Sequence, residues 1–336
     1  MTTPSAIERR RAALPRLVLL GTLSAAFFST TWLLNRIVSL AGGHWAWNAS
    51  LRYFYVALIL AAWLALRRGP HGLGAVLRRF RERPFFWILT GSIGCGIFYS
   101  GVCFAGDHAP PWVLATTWQL TILATPLVLR GFGLRVPLHG VLFAILIFAG
   151  ILLVNLNRLR DGLQLGQVLL GVVPILIAAF AYPIANQLVN RVRHDPARPP
   201  PAAATSRLDE AAAYLLLMVL GSLPFWILLL VGLAPPWPAP SQLLATFLIA
   251  LCSGVLGTTL FLLARNATSD PYRIAAVDAT QAGEVVFTLA GEVLLLGGAI
   301  PDAIGLVGLA VVVAGLAGFM LRSRPGEAAE PVAGAP

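Results

Sequence analysis

Ten apolar runs, each about as long as a helix needs to cross a bilayer, divide this 336-residue chain almost from end to end. A hydrocarbon core roughly 30 Å thick takes about 20 apolar residues in helical form. The runs lie at 15–40, 47–66, 84–105, 110–130, 136–154, 164–189, 208–232, 241–264, 272–296 and 302–321. Backbone groups in lipid must be satisfied within the membrane-crossing structure itself, so a chain patterned this way is confined to a helical bundle. Composition agrees, with 58% of residues apolar and 11% charged, against about 45–50% and 25% in soluble domains. The expected fold is an all-α integral membrane protein of ten transmembrane helices. The first run follows Arg9, Arg10 and Arg11 as a signal peptide would. It is too long for a signal's apolar region and no soluble domain follows, so a retained helix is expected.

The net charge is +10, and all 24 basic residues are arginine. They sit in short clusters between apolar runs rather than along one face, a pattern that sets topology and not a nucleic-acid surface. All but Arg36, Arg52, Arg158 and Arg160 fall at the termini or in the loops after runs two, four, six and eight. The positive-inside rule then places both termini in the cytoplasm, with the cell (inner) membrane as the location. The loop after run six contains Pro199-Pro200-Pro201 and several alanines, the composition of an unstructured linker, and the tail after Leu321 is expected to be disordered. Cys95, Cys103 and Cys252 lie inside runs without Cys-x-x-Cys spacing, so they are expected to pack rather than form disulfides or a metal site.

The two halves echo each other. Ala25-Ala26-Phe27-Phe28 with Asn35-Arg36 parallels Ala178-Ala179-Phe180-Ala181 with Asn190-Arg191. Trp118-Gln119 in run four parallels Thr280-Gln281 in run nine, and Gly140 with Gly150 parallels Gly305 with Gly315. Five helices per half force the halves into opposite orientation, the inverted repeat of many secondary transporters. The expected organisation is a tail at 1–14, a first five-helix repeat at 15–154, an external connection at 155–163, a second repeat at 164–321 and a cytoplasmic tail at 322–336.

Run nine carries three acidic residues inside an otherwise apolar stretch. Asp278, Gln281, Glu284, Thr288 and Glu292 share one face about 120° wide at helical spacing. Charges in hydrocarbon cost several kcal/mol, so the stripe must face other helices or water, and ionisable groups there are usually functional. At 1.5 Å per residue Glu284 lies about 18 Å in, near the midplane, and Gln119 of run four reaches a similar depth. Transport sites are expected at that level on the repeat interface. Glu284 either exchanges a proton for a cationic or zwitterionic substrate, or pairs with an arginine or a backbone group and only orients the helix. Trp118 is either a cation–π face or bulk packing. Glu292 matches Arg36 and Arg52 in depth and is expected to pair with one of them in a structural or gating role. Asp278 either lines the cytoplasmic entrance or caps the helix start. Tyr182-Pro183 is expected to break or kink run six. The small residues Ala310, Ala314 and Gly318 are expected to serve helix packing.

Several segments carry a resemblance: Asn35-Arg36, Ala49-Ser50-Leu51-Arg52-Tyr53-Phe54, Cys103-Phe104-Ala105, Pro111 through Ile122, and Ala279 through Thr288 with Gly291-Glu292. They resemble the ten-helix putative multidrug resistance efflux transporter family of the drug/metabolite transporter superfamily. Trp118-Gln119 with Thr121-Ile122 is specific to that branch; Gly291-Glu292 is shared across the superfamily. The resemblance implies two inverted five-helix repeats, alternating access around a central cavity, and export of drugs. Transport of small organic molecules in exchange for protons is the expected function, with an amino-acid or other metabolite exporter as the alternative. The expected partners are a small-molecule substrate, protons and membrane lipid, with the chain acting as a monomer or homodimer.

Other classes fit less well. A polytopic membrane enzyme needs a nucleophile–base pair, an aspartate dyad or a metal cluster. The chain has no His-Glu-x-x-His and no Gly-x-Ser-x-Gly, and its five histidines lie in or near loops on both faces. A channel would need a filter motif. ATP-driven transport would need a Walker A sequence, which the chain lacks. No cofactor is expected.

Overall fold

The computed structural model describes residues 6–133, 141–160, 164–193, 207–267, 277–278 and 280–322, which are helical apart from short connections. In chain order the helices are α1 (Ala6–Leu40), α2 (Trp45–Glu82), α3 (Pro84–Gly106), α4 (Pro111–Gly131), α5 (Val141–Arg160), α6 (Leu165–Arg193), α7 (Arg207–Leu233), α8 (Pro240–Ala264), α9 (Gly283–Leu296) and α10 (Ala303–Arg322). Seven are long and apolar enough to cross a membrane: α1, α2, α3, α4, α6, α7 and α8. Within α5 and α10 the apolar stretches are shorter, Ile145–Leu156 and Ala303–Gly318, and α9 has 14 residues. The beginnings of the expected fifth and ninth runs, the proline-rich linker and the C-terminal tail lie outside the described residues.

Local chemistry sets the boundaries. Pro84, Pro111 and Pro240 occupy the first turns of α3, α4 and α8, where a missing N–H costs nothing and the fixed φ suits a helix. At the other end of α9, Gly297 takes φ 63°, ψ 23°, a left-handed C-terminal cap that glycine adopts without steric cost. Inside α2 the backbone departs from helical geometry at Gly69, with φ 65°, and Pro70 follows. The membrane-length part of α2 therefore stops at Arg67-Arg68, and a second, arginine-bearing piece runs on in a new direction.

Two helices widen locally and two elements are interrupted. Both α3, over Ser92–Ile97, and α8, over Ala250–Gly257, switch to π-helical geometry, a rare form that often marks functional sites. The first half of α4 ends at Trp118, Gln119 and Leu120 form a turn, and the helix resumes at Thr121. A single 3₁₀ turn, Thr280–Ala282, precedes α9. The expected break at Tyr182-Pro183 does not occur: α6 runs through both Pro174 and Pro183 as one helix. Gly101 of α3 lies so close to the Pro174 carbonyl that a β-carbon would collide with it, so α3 and α6 approach to backbone contact there.

Glycines bring other helix pairs into backbone contact. A β-carbon on Gly308 of α10 would lie 3.0 Å from the Gly150 carbonyl of α5, while Gly315 and Gly318 face Ile147 and Phe143. Ala310 and Ala314, expected on this seam, are exposed instead. The seam runs through Gly308, Val312 and Gly315. Ala310 is two residues from Gly308 and Ala314 two from Val312, which is about 200° around a helix, so only the Gly318 end of that expectation meets α5.

At the end of the bundle where α2 kinks, the fully buried Asp209 of α7 pairs with Arg68 at 2.8 Å and Arg67 at 3.9 Å. Removing one partner of a buried pair leaves the other's charge uncompensated. Asp209→Ala is expected to lower stability by about 2–4 kcal/mol and Asp209→Asn by less, read as thermal melting in detergent. Equal melting of all three proteins would show that the pair contributes nothing.

Candidate functional site

Glu284 lies in the first turn of α9, directly after the 3₁₀ turn. Across from it the Trp32 indole of α1 donates its N–H to Glu284 Oε1 at 2.6 Å. Small residues on α9 permit this approach: Gly291 abuts Leu33 and Gly283 lies near Ala25, both on α1. Three further rings continue from Trp32. Its ring centroid lies 6.5 Å from that of Trp118 (α4), which lies 5.2 Å from Phe98 (α3) and 5.7 Å from Tyr182 (α6). Phe98 and Tyr182 are themselves 5.2 Å apart. The result is a carboxyl group held by an indole beside an aromatic wall drawn from four helices. Aromatic faces attract organic cations, by roughly 2 kcal/mol or more where water is excluded.

The remaining members of the expected stripe spread along α9 and its foot. Thr288 is fully buried and donates to the Glu284 carbonyl at 2.7 Å within its own helix. Gln281 donates to the Gly21 carbonyl of α1 at 3.4 Å. Asp278 is half-buried at the foot of α9, next to Val277, which packs with Leu17 of α1 and Ala264 of α8. Gln119, although it sits at the break in α4, turns its amide back to the Ala115 carbonyl at 3.1 Å. Glu284 and Trp118 are thus brought together through Trp32, while Gln119, Gln281 and Thr288 are engaged with backbone.

Glu292 takes a different partner from the expected arginine. Its Oε2 accepts the Trp112 backbone N–H at 3.0 Å. Trp112 follows Pro111 in the first turn of α4, where N–H groups lack helical partners and the dipole favours a negative charge. Arg36 instead donates to the Gly106 and Asp107 carbonyls at 3.1 and 3.4 Å, although it remains within Coulombic reach of Glu292. No ion pair joins Glu292 to Arg36 or Arg52 among the described residues. Equal depth placed these residues at one level but could not tell which way each points. Glu292→Ala should cost about 1 kcal/mol, the usual loss of a helix N-terminal acceptor, and the Glu292/Arg36 charge swap should not rescue it. Full rescue, read from melting curves, would restore the arginine pairing.

Arg52, the other expected partner, points into the bundle. Its guanidinium lies 4.1 Å from the Tyr99 ring centroid, and Nη2 donates to Ser253 Oγ at 3.3 Å. Thr31 donates to the same Ser253 oxygen at 2.6 Å. Alongside runs a buried polar network missed by sequence reasoning. Asn35 Nδ2 donates to the Tyr99 hydroxyl at 3.1 Å, and Asn48 Nδ2 donates to Asn35 Oδ1 at 3.3 Å. Gln242 and Thr246 both donate to Asn48 Oδ1, at 3.1 and 3.0 Å. Each of these residues stands as a polar interruption in an apolar run, but nothing in the chain says which interruptions meet. Among the described residues no group of three or more His, Cys, Asp or Glu could hold a metal ion.

A family model described as "EmrE: Putative multidrug resistance efflux transporter" matches residues 15–325. The chain is 34% identical over 327 residues to the uncharacterized protein YjlA of Bacillus subtilis (strain 168), covering 92% of this chain and 95% of that one. It is 30% identical over 287 residues to an uncharacterized 42.1 kDa protein of Shouchella clausii, covering 82% and 71%. A solved crystal structure shares the fold with a TM-score of 0.55 at 17% identity, over 90% of this chain and 96% of that one.

Proposed function

We propose, because the chain belongs to the EmrE family of putative multidrug resistance efflux transporters, that it exports small organic molecules by alternating access in exchange for protons. The observation that carries this is Glu284, a carboxyl group set against the aromatic wall of Trp32, Phe98, Trp118 and Tyr182. Burial favours a protonated carboxyl and a nearby cation favours the ionised one, so one group can hold a proton and a cation in turn. The Trp32 N–H can serve both states, because it donates to either a carboxylate or a carbonyl oxygen.

The irregular helices support an inverted repeat. The π segments of α3 and α8 lie about 160 residues apart, and so do the breaks at Gln119 and Gln281; discontinuous helices in matching positions are the mark of a repeat interface that binds substrate. In this proposal α5, α9 and α10 also cross the membrane, giving ten helices with both termini cytoplasmic in the cell membrane. One chain then encloses a complete site, as a monomer or within a homodimer.

Proton release tests the proposal. Detergent-purified protein in weak buffer is expected to release protons when a member of a panel of organic cations, amino acids and neutral metabolites binds. Ligands that raise the melting temperature without releasing protons would place the driving force elsewhere. Release by amino acids alone would favour a metabolite exporter over a drug exporter.

A further inference from the structure

The Glu284 site accounts for a positive group on the substrate and leaves Arg52 without a role. Among the described residues no carboxylate lies within ion-pair distance of Arg52, and its Nε is buried with no hydrogen-bond partner. The groups that do meet its guanidinium are neutral: the Ser253 hydroxyl and the rings of Tyr99 and Tyr53. An arginine inside a bundle with no carboxylate in ion-pair contact is costly, and ionisable residues in membrane spans are functional candidates by default. Both Arg52 and Glu284 are surrounded by protein yet keep some accessible surface. They are within Coulombic reach of each other without touching.

The two groups stand side by side on shared elements. On α1, Thr31 joins the Arg52 side through Ser253 while the adjacent Trp32 holds Glu284. On α3, Tyr99 lies under Arg52 while the adjacent Phe98 belongs to the aromatic wall. We infer that Arg52 and Ser253 form an anion subsite next to Glu284, so that the substrate is a zwitterion: its ammonium faces Glu284 and the aromatic wall, and its carboxylate faces Arg52. This rests on the Glu284 proposal and narrows it from organic cations to molecules that carry both charges. Arginine suits the role because its planar fork can take both oxygens of a carboxylate, and the unpartnered Nε is one tine of that fork.

Binding to purified full-length protein in chloride-free buffer, followed by calorimetry, tests the subsite with two matched series. One is L-phenylalanine, L-phenylalaninamide, phenethylamine and 3-phenylpropionate; the other is the same set built on leucine. In at least one series the zwitterion is expected to bind about tenfold or more tighter than its amide and its amine. Arg52→Gln should erase that preference while leaving amine binding in place, and Glu284→Gln should weaken the zwitterion and the amine together. If Arg52→Gln does not fold, the wild-type comparison of acid against amide still decides. Amines binding as well as zwitterions would overturn the anion subsite and leave the cation site standing. Loss of amine binding in neither variant would overturn the Glu284 proposal itself. Stabilisation by chloride without preference for the zwitterion would mean that Arg52 holds only an inorganic anion, and silence of every probe would likewise overturn the inference.

Discussion

Replacing Glu284 with glutamine is expected to abolish ligand-driven proton release while leaving the protein folded. Glutamine keeps the volume of the side chain, and its amide oxygen can still accept the Trp32 N–H that Glu284 Oε1 receives at 2.6 Å. A swap that conserves volume usually costs less than about 1.5 kcal/mol, so melting should shift by only a few degrees. The charge and the exchangeable proton are both gone. Losing one partner of a desolvated charge pair costs about 2–5 kcal/mol, so affinity for an organic cation should fall by on the order of 30-fold or more. Transport into proteoliposomes driven by a pH gradient should then vanish. Undiminished gradient-driven uptake in the variant would assign Glu284 to helix orientation alone. Trp32→Phe makes a useful companion, since it keeps an aromatic face and removes the N–H; it should weaken the carboxyl's hold without removing exchange.

The largest effect on folding is expected at Gly221. A β-carbon on this residue of α7 would run into the Trp87 carbonyl of α3, and one on Gly91 of α3 would run into the Met218 carbonyl of α7. Both obstacles are backbone, which cannot rotate aside as a side chain can. Trp87 is itself only 1% exposed, so α3 has no room to retreat. Overpacking costs about 1–3 kcal/mol where neighbours can adjust, and rigid backbone places Gly221→Ala at the upper end. Gly221→Leu should leave little folded protein, measured as monodisperse yield and melting temperature after extraction. A leucine variant that melts within a few degrees of the parent would mean that the α3–α7 approach is looser than the structure has it. Since α3 carries Phe98 and Tyr99, the alanine variant should also weaken ligand binding.

Much of the architecture was legible because it depends on short-range properties. Apolar length marked the helices. Polar groups at helical spacing singled out Glu284, because the energy of a carboxyl in an apolar run is unfavourable whatever the rest of the fold does. The same logic flagged Arg52 and Glu292 but could not say which groups each of them touches. Depth follows from counting residues along one helix, whereas contact also requires the rotation of each helix about its axis. Rotation is decided by packing, here by glycines such as Gly283 and Gly291 that let α1 settle against α9. The 3₁₀ turn at Thr280–Ala282 adds a further change of phase that a uniform 100° step leaves out. Pro183 shows the reverse case: a local signal for a break stands inside a helix that runs on from Leu165 to Arg193.

By itself, the sequence determined that this protein is a helical membrane protein and that Glu284 and Trp118 belong to its interior, since hydrophobicity and charge act residue by residue. Only the tertiary structure decided that Trp32 holds Glu284, that Glu292 caps α4, and that Arg52 lies over Tyr99 beside Ser253. Those choices depend on which faces of distant helices meet. Several arrangements of the same apolar runs would bury similar surface, and close packing at a few small residues selects among them.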